Sequence, residues 1–183
     1  MASKFHTEIA SLKGDVLAQG MLGRSMVASK TQDVAFAETI DEKKQRFANY
    51  DDGIEQKCLR HIALNQPMAK DLRTIAASMK VTTSLYRIGR YGKDIAIVVP
   101  DLAGAPHVGN LVSIPHMGDL VEGMITDVLI AFEREDLSVI DTIAKQEEVV
   151  DALRYSIFRE CLTYMMENPK NITRCTNYVM ITR

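Results

Sequence analysis

At 183 residues the chain can bury one substantial core or two small ones. A net charge of -2 excludes a global electrostatic pull toward nucleic acid or anionic lipid. No uninterrupted apolar run approaches the roughly 20 residues that a membrane span needs, so membrane insertion is not expected.

Met1-Ala2-Ser3-Lys4-Phe5-His6 runs straight into an amphipathic pattern, with no apolar core of a signal peptide. Phe5, Ile9, Leu12, Val16, Gly20, Gly23 and Val27 fall three and four apart, which predicts a first helix with one apolar stripe. Ser29, Thr31 and Asp33 form a capping cluster. A second stripe runs through Val34, Ala37, Ile40, Phe47, Tyr50, Ile54, Cys58 and Ile62, a helix of about 45 Å at 1.5 Å per residue. Asn65 or Gln66 is expected to cap, and Pro67 to sit in the first turn of a third helix. Leu72, Ile75, Met79, Leu85, Ile88, Gly92, Ile95 and Val99 line that helix.

Pro100 to Pro115 is rich in proline and glycine and reads as the linker. A fourth stripe follows through Met117, Leu120, Met124, Val128 and Ala131. Asp136 is expected to cap a fifth helix carrying Val139, Ile143, Val150, Leu153, Ile157, Cys161 and Tyr164. Asn168-Pro169 repeats the device of Gln66-Pro67, and a sixth helix opens through Ile172, Tyr178 and Ile181.

The halves read as repeats. Ile54-Glu55-Gln56-Lys57-Cys58-Leu59 parallels Ile157-Phe158-Arg159-Glu160-Cys161-Leu162, and Val81-Thr82 parallels Ile181-Thr182. The expected fold is all-α, two tandem three-helix bundles over residues 1–100 and 116–183 joined by a linker at 101–115. By this register about half of the last helix is missing. Gly20, Gly23, Gly89 and Gly92 lie inside helices at a cost of about 1 kcal/mol each against alanine. Close approach of helix axes is the reading preferred over glycines tolerated at the surface. Cys58, Cys161 and Cys175 are scattered, without CxxC spacing, and read as buried reduced thiols rather than a disulfide framework or zinc site.

Gln66-Pro67 with Asp71-Leu72-Arg73, then Leu85-Tyr86-Arg87-Ile88-Gly89 and Asp94-Ile95-Ala96, resembles the signature of the PhoU family. So do Val150-Asp151-Ala152-Leu153-Arg154, Ile157-Phe158-Arg159-Glu160 and Asn168-Pro169. The resemblance covers nearly the whole chain. It implies two tandem three-helix bundles and a cytoplasmic, non-enzymatic negative regulator of phosphate uptake and phosphate-starvation signalling. The implied partners are a phosphate ABC transporter component and a sensor histidine kinase; a homodimer is left open.

The resemblance also implies an acidic motif, Glu/Asp-x-x-x-Asp, on the third helix of each repeat, holding iron, zinc or another divalent cation with help from an acidic residue on the preceding helix. In the first repeat those slots hold Tyr86 and Arg90, with Ala48 on the preceding helix, so the motif is degenerate there. Arg90 is expected to neutralise carboxylates in place of a metal, with Asp51, Asp52 or Glu55 as partners. In the second repeat Asp151 falls in the preceding-helix slot and Glu147 lies one turn before it, which makes this pair the candidate metal ligands. A solvated acidic helix face is the equal alternative.

Other chemistries have less support. No histidine stands three residues after a Glu, as a ferritin-type di-iron bundle requires. No P-loop or dinucleotide glycine pattern is present. His107 and His116 flank the linker and read as solvated. Arg73, Lys80, Arg87, Arg90 and Lys93 make the third helix basic. Ion pairing to Glu38, Asp41, Glu42, Asp51 and Asp52 of the second helix is preferred over an anion-binding or partner-docking face. Sparse aromatics and the lack of tryptophan argue against a nucleic-acid surface. A metal-binding bundle and a scaffold unrelated to phosphate are the competing readings.

Overall fold

The computed structural model describes residues 2–27, 38–104, 106–109 and 113–183. Among these residues the structure is all-α. We number the helices α1 (Ala2–Val27), α2 (Ile40–Asn65), α3 (Ala69–Ala103), α4 (Ser113–Arg134), α5 (Ile140–Glu167) and α6 (Ile172–Ile181). A short 3-10 turn, Pro169–Asn171, precedes α6. The expected capping cluster of Ser29, Thr31 and Asp33 lies outside the described residues.

α1, α2 and α3 pack on one another as the first bundle. In the second, α5 packs on both α4 and α6. Two contacts join the bundles, α4 against α1 and α6 against α3. The first core gathers Leu12, Val16, Phe47, Ile54, Cys58, Ile75 and Leu85, and α4 adds Ile125 and Leu129 to it. The second gathers Ile157, Cys161, Cys175 and Tyr178, and α3 adds Val98 and Leu102. Each large apolar side chain buried this way contributes about 1.5–3 kcal/mol.

The repeat predicted from the sequence is visible in the packing. Ile54 and Ile157, Cys58 and Cys161, and Thr82 and Thr182 are buried in equivalent registers. The Cys58 thiol donates to the Ile75 carbonyl at 3.9 Å, and in the second bundle Cys161 lies against Cys175. All three thiols are free and buried. Burial is the main cause that pushes Cys58 up to about 11 and Cys161 up to about 12.

The helical glycines sit where helices touch. A Cβ on Gly92 would lie 2.6 Å from Met26 Cβ and 2.8 Å from the Met26 backbone, and one on Gly20 would lie 2.3 Å from a Leu129 methyl. Gly23 and Gly89 flank the Phe47 ring.

Three local expectations need correction. Pro67 is not in the first turn of α3. Gln66 ends α2 in the left-handed region at φ 44°, Met68 is extended, and α3 starts at Ala69. The chain therefore spends Pro67 on the turn itself. The linker does not begin after Pro100, because α3 continues through that proline to Ala103. Burial of Val98, Val99 and Leu102 holds this stretch, and Arg174 of α6 donates to the carbonyls of Leu102 and Pro106 (2.7 Å for Pro106). Asp136 does not cap α5, whose N-cap is Val139. It accepts instead from the Ser138 N–H at 2.9 Å and the Ser138 hydroxyl at 3.0 Å. The second proline device does behave as expected: the Asn168 side chain accepts from the Lys170 N–H at 3.1 Å, with Pro169 opening the turn.

Candidate functional site

The second-repeat acidic slot lies on the outer side of α5. Glu147 and Asp151 are both exposed. The Asp151 carboxylate is held by Arg154 at 3.4 Å, and that guanidinium also stacks 5.0 Å from the centroid of the Tyr155 ring. Among the described residues no three His, Cys, Asp or Glu side chains gather as a cation would require. Two exposed carboxylates, one of them paired with arginine, do not by themselves fit a metal centre.

In the first repeat Ala48 is half-buried, Tyr86 is 45% exposed and Arg90 is exposed. The Tyr86 ring lies 6.4 Å from Phe47, tilted by 36°. Arg90 pairs with no carboxylate among the described residues, so the expected neutralisation does not occur. The register explains why. Asp51 accepts from Gln19 Nε2 at 3.4 Å, and Gln19 Oε1 accepts from the Thr82 hydroxyl at 3.1 Å. Asp51 is thus level with Thr82. Arg90 lies eight residues further on, about 12 Å along the axis. Burial raises the Asp51 pKa, the Gln19 hydrogen bond works against it, and neighbouring Asp52 and Glu55 add to the rise.

The expected ion pairs between α3 and α2 are also missing. Arg73, Lys80, Arg87 and Arg90 are exposed, and none meets an α2 carboxylate among the described residues. The cation of α3 that does form a pair is Lys70, at its start, with Glu135 at 2.9 Å. Arg87 instead donates to Tyr91 Oη at 3.5 Å. That hydrogen bond, then the charges of Arg87, Arg90 and Arg183, lowers the Tyr91 pKa. The outer face of α3 is consequently a run of cations that meet no carboxylate among the described residues, with Tyr86 and Tyr91 among them.

The PhoU domain profile matches residues 16–99 and 114–183. The chain belongs to the PhoU family. It is 36% identical over 182 residues to the phosphate-specific transport system accessory protein PhoU homolog of Caulobacter vibrioides, covering 96% of this chain and 79% of that protein. It is 31% identical to the homolog of Aquifex aeolicus, covering 91% of this chain and 76% of that one. In structure it is similar to PhoU from Pseudomonas aeruginosa, with a TM-score of 0.82, 27% identity, and coverage of 100% of this chain and 87% of the other. The phosphate transport system regulatory protein PhoU from Streptococcus pneumoniae gives a TM-score of 0.85 at 28% identity, covering 97% and 86%. Among the described residues no helix is long and apolar enough to cross a membrane.

Sequence reasoning did not find three features of this PhoU-family chain. These are the Gln19–Thr82–Asp51 chain, the Arg174 contacts that end α3, and the Glu135 carboxylate, which receives Lys13 at 3.0 Å as well as Lys70. All three join residues distant in sequence. No periodicity marks them.

Proposed function

We propose that this chain is a cytoplasmic, non-enzymatic regulator of phosphate uptake and phosphate-starvation signalling. It acts by docking onto a phosphate ABC transporter component or a sensor histidine kinase. Family membership supports the phosphate context. The observation that supports docking is the outer face of α3, where Arg73, Lys80, Arg87 and Arg90 stand exposed beside Tyr86 and Tyr91 and meet no carboxylate among the described residues. Arginine and tyrosine are the residue types that dominate interface energetics. A row of unneutralised cations steers an acidic partner surface and sets its orientation.

The test is affinity capture from phosphate-replete cells, with immunoblots for the transporter components and the kinase. The double variant Arg87→Glu, Arg90→Glu changes exposed side chains, so its helical circular dichroism should match the parent. It should lose at least about tenfold in capture, equivalent to about 1.4 kcal/mol. Recovery of no transport or signalling component, or undiminished capture by the charge-reversed variant, counts against the reading.

A further inference from the structure

Cys161 of α5 and Cys175 of α6 stand equally far on either side of Asn168, the cap of the turn between them. α5 and α6 pack against each other, so this symmetry sets the two thiols level across the hairpin. Both are fully buried in the second core, and their side chains meet.

The repeat shows that the fold does not demand this pairing. Counted back from the matching residues Thr82 and Thr182, Cys175 takes the place of Ile75. In the first bundle Cys58 therefore faces a fully buried isoleucine and donates to its carbonyl at 3.9 Å. An apolar side chain fills that slot there, and in the second bundle a second thiol does. Two thiols have a reaction open to them that a thiol and an isoleucine lack. Burial raises the pKa of both. At Cys161 the charge and hydrogen bond of Cys175 add to the rise, whereas at Cys175 the same hydrogen bond opposes it. Cys161 thus holds the proton, and Cys175 is the readier nucleophile.

We propose that Cys161 and Cys175 form a reversible disulfide on exposure to hydrogen peroxide, a bond that clamps α6 to α5. The Cys175 thiolate attacks one peroxide oxygen, the O–O bond breaks, and a sulfenic acid forms as hydroxide leaves. The Cys161 thiolate then attacks the sulfenic sulfur, the S–O bond breaks, and the S–S bond forms as a second hydroxide leaves. In sum the two thiols lose two electrons and two protons, and the peroxide becomes two waters. Arg174, next to Cys175, donates to the carbonyls of Leu102 and Pro106, so the clamp fixes α6 where α6 holds the end of α3. Both thiols are buried, so the reagent reaches them only when α6 opens from α5, and that opening sets the rate.

Peroxide treatment of the reduced full chain, followed by unfolding, alkylation, tryptic digestion and mass spectrometry, tests it. Free thiols should fall from three to one. The peptides Glu160–Lys170 and Cys175–Arg183 should appear joined, with Cys58 left alkylated and dithiothreitol restoring all three thiols. Urea below the unfolding transition should speed the loss several-fold. Cys175→Ala should keep both of its thiols under the same treatment, and the peptide map of the unaltered chain decides the matter even where that variant folds poorly. Three thiols remaining after treatment, thiols lost without the joined peptides, or Cys58 oxidised as fast as the pair would each overturn the proposal.

Discussion

The two bundles share a register, and each core is completed by a helix of the other. In the first, three long helices surround Leu12, Phe47, Ile54 and Ile75, and α4 adds Ile125 and Leu129 from outside. In the second, α5 buries Ile157 and Cys161, while Val149, Tyr155, Phe158 and Leu162 on the same helix stay exposed. An apolar side chain is buried only as far as a neighbouring helix reaches. Ile54 and Ile157 are therefore buried in both bundles, where such a neighbour is present.

The largest expected effects test whether the two cores unfold as one unit. Leu12→Ala in the first core and Ile157→Ala in the second should each cost roughly 2–5 kcal/mol. Phe158→Ala, one residue away on α5, should stay within about 0.5 kcal/mol. Because α3 reaches the second core and α4 reaches the first, both core variants should shift one shared urea transition, followed by circular dichroism. A separate early transition in Ile157→Ala would show that the bundles unfold independently.

A smaller effect compares two glycines of the first bundle. Gly92 lies against the Met26 backbone, whereas a Cβ on Gly53 would meet nothing within 4 Å. Gly92→Ala should cost about 1–3 kcal/mol from overpacking, despite the better helix propensity. Gly53→Ala should gain up to about 1 kcal/mol. Equal gains in thermal stability at both positions would refute the close approach of α1 and α3.

These elements also show what periodicity can and cannot reveal. Apolar spacing located the six α-helices among the described residues, and the paired Ile-x-x-x-Cys phrases located the repeat, because both express the 3.6-residue period along the sequence. Pro100 misled because proline breaks helices on average, while here buried Val99 and Leu102 and the distant Arg174 hold the helix through it. The expected partners of Arg90 failed for a related reason. Spacing tells which residues share a face of one helix, but not which level of α2 stands beside which level of α3. That level is set by Gln19 joining Asp51 to Thr82. The acidic slot was legible as a pair of positions one turn apart, but the Arg154 contact that occupies Asp151 was not read from it.

The smallest expected effect concerns the charged contact that ties the bundles together. Glu135 follows α4 in the left-handed region at φ 55°, and the Asp136 N–H returns to the Ala131 carbonyl at 3.0 Å, closing a Schellman-type end. This turn presents the Glu135 carboxylate to Lys70 of α3 and Lys13 of α1. Hydrogen bonds from Lys70 and then Lys13 lower its pKa from 4.5 to about 2. A depressed carboxylate contributes stability that is fully present above its unfolded value and is lost as pH falls through the folded one. The contribution of Glu135 should therefore hold above about pH 4.5 and fade toward pH 2. Melting temperatures of the parent and Glu135→Gln should differ slightly at pH 6, converge as pH falls to 2, and converge also in 1 M salt, where the Debye length is about 3 Å. A difference that stayed constant across that range would mean that the turn geometry, rather than the charge, is what Glu135 supplies.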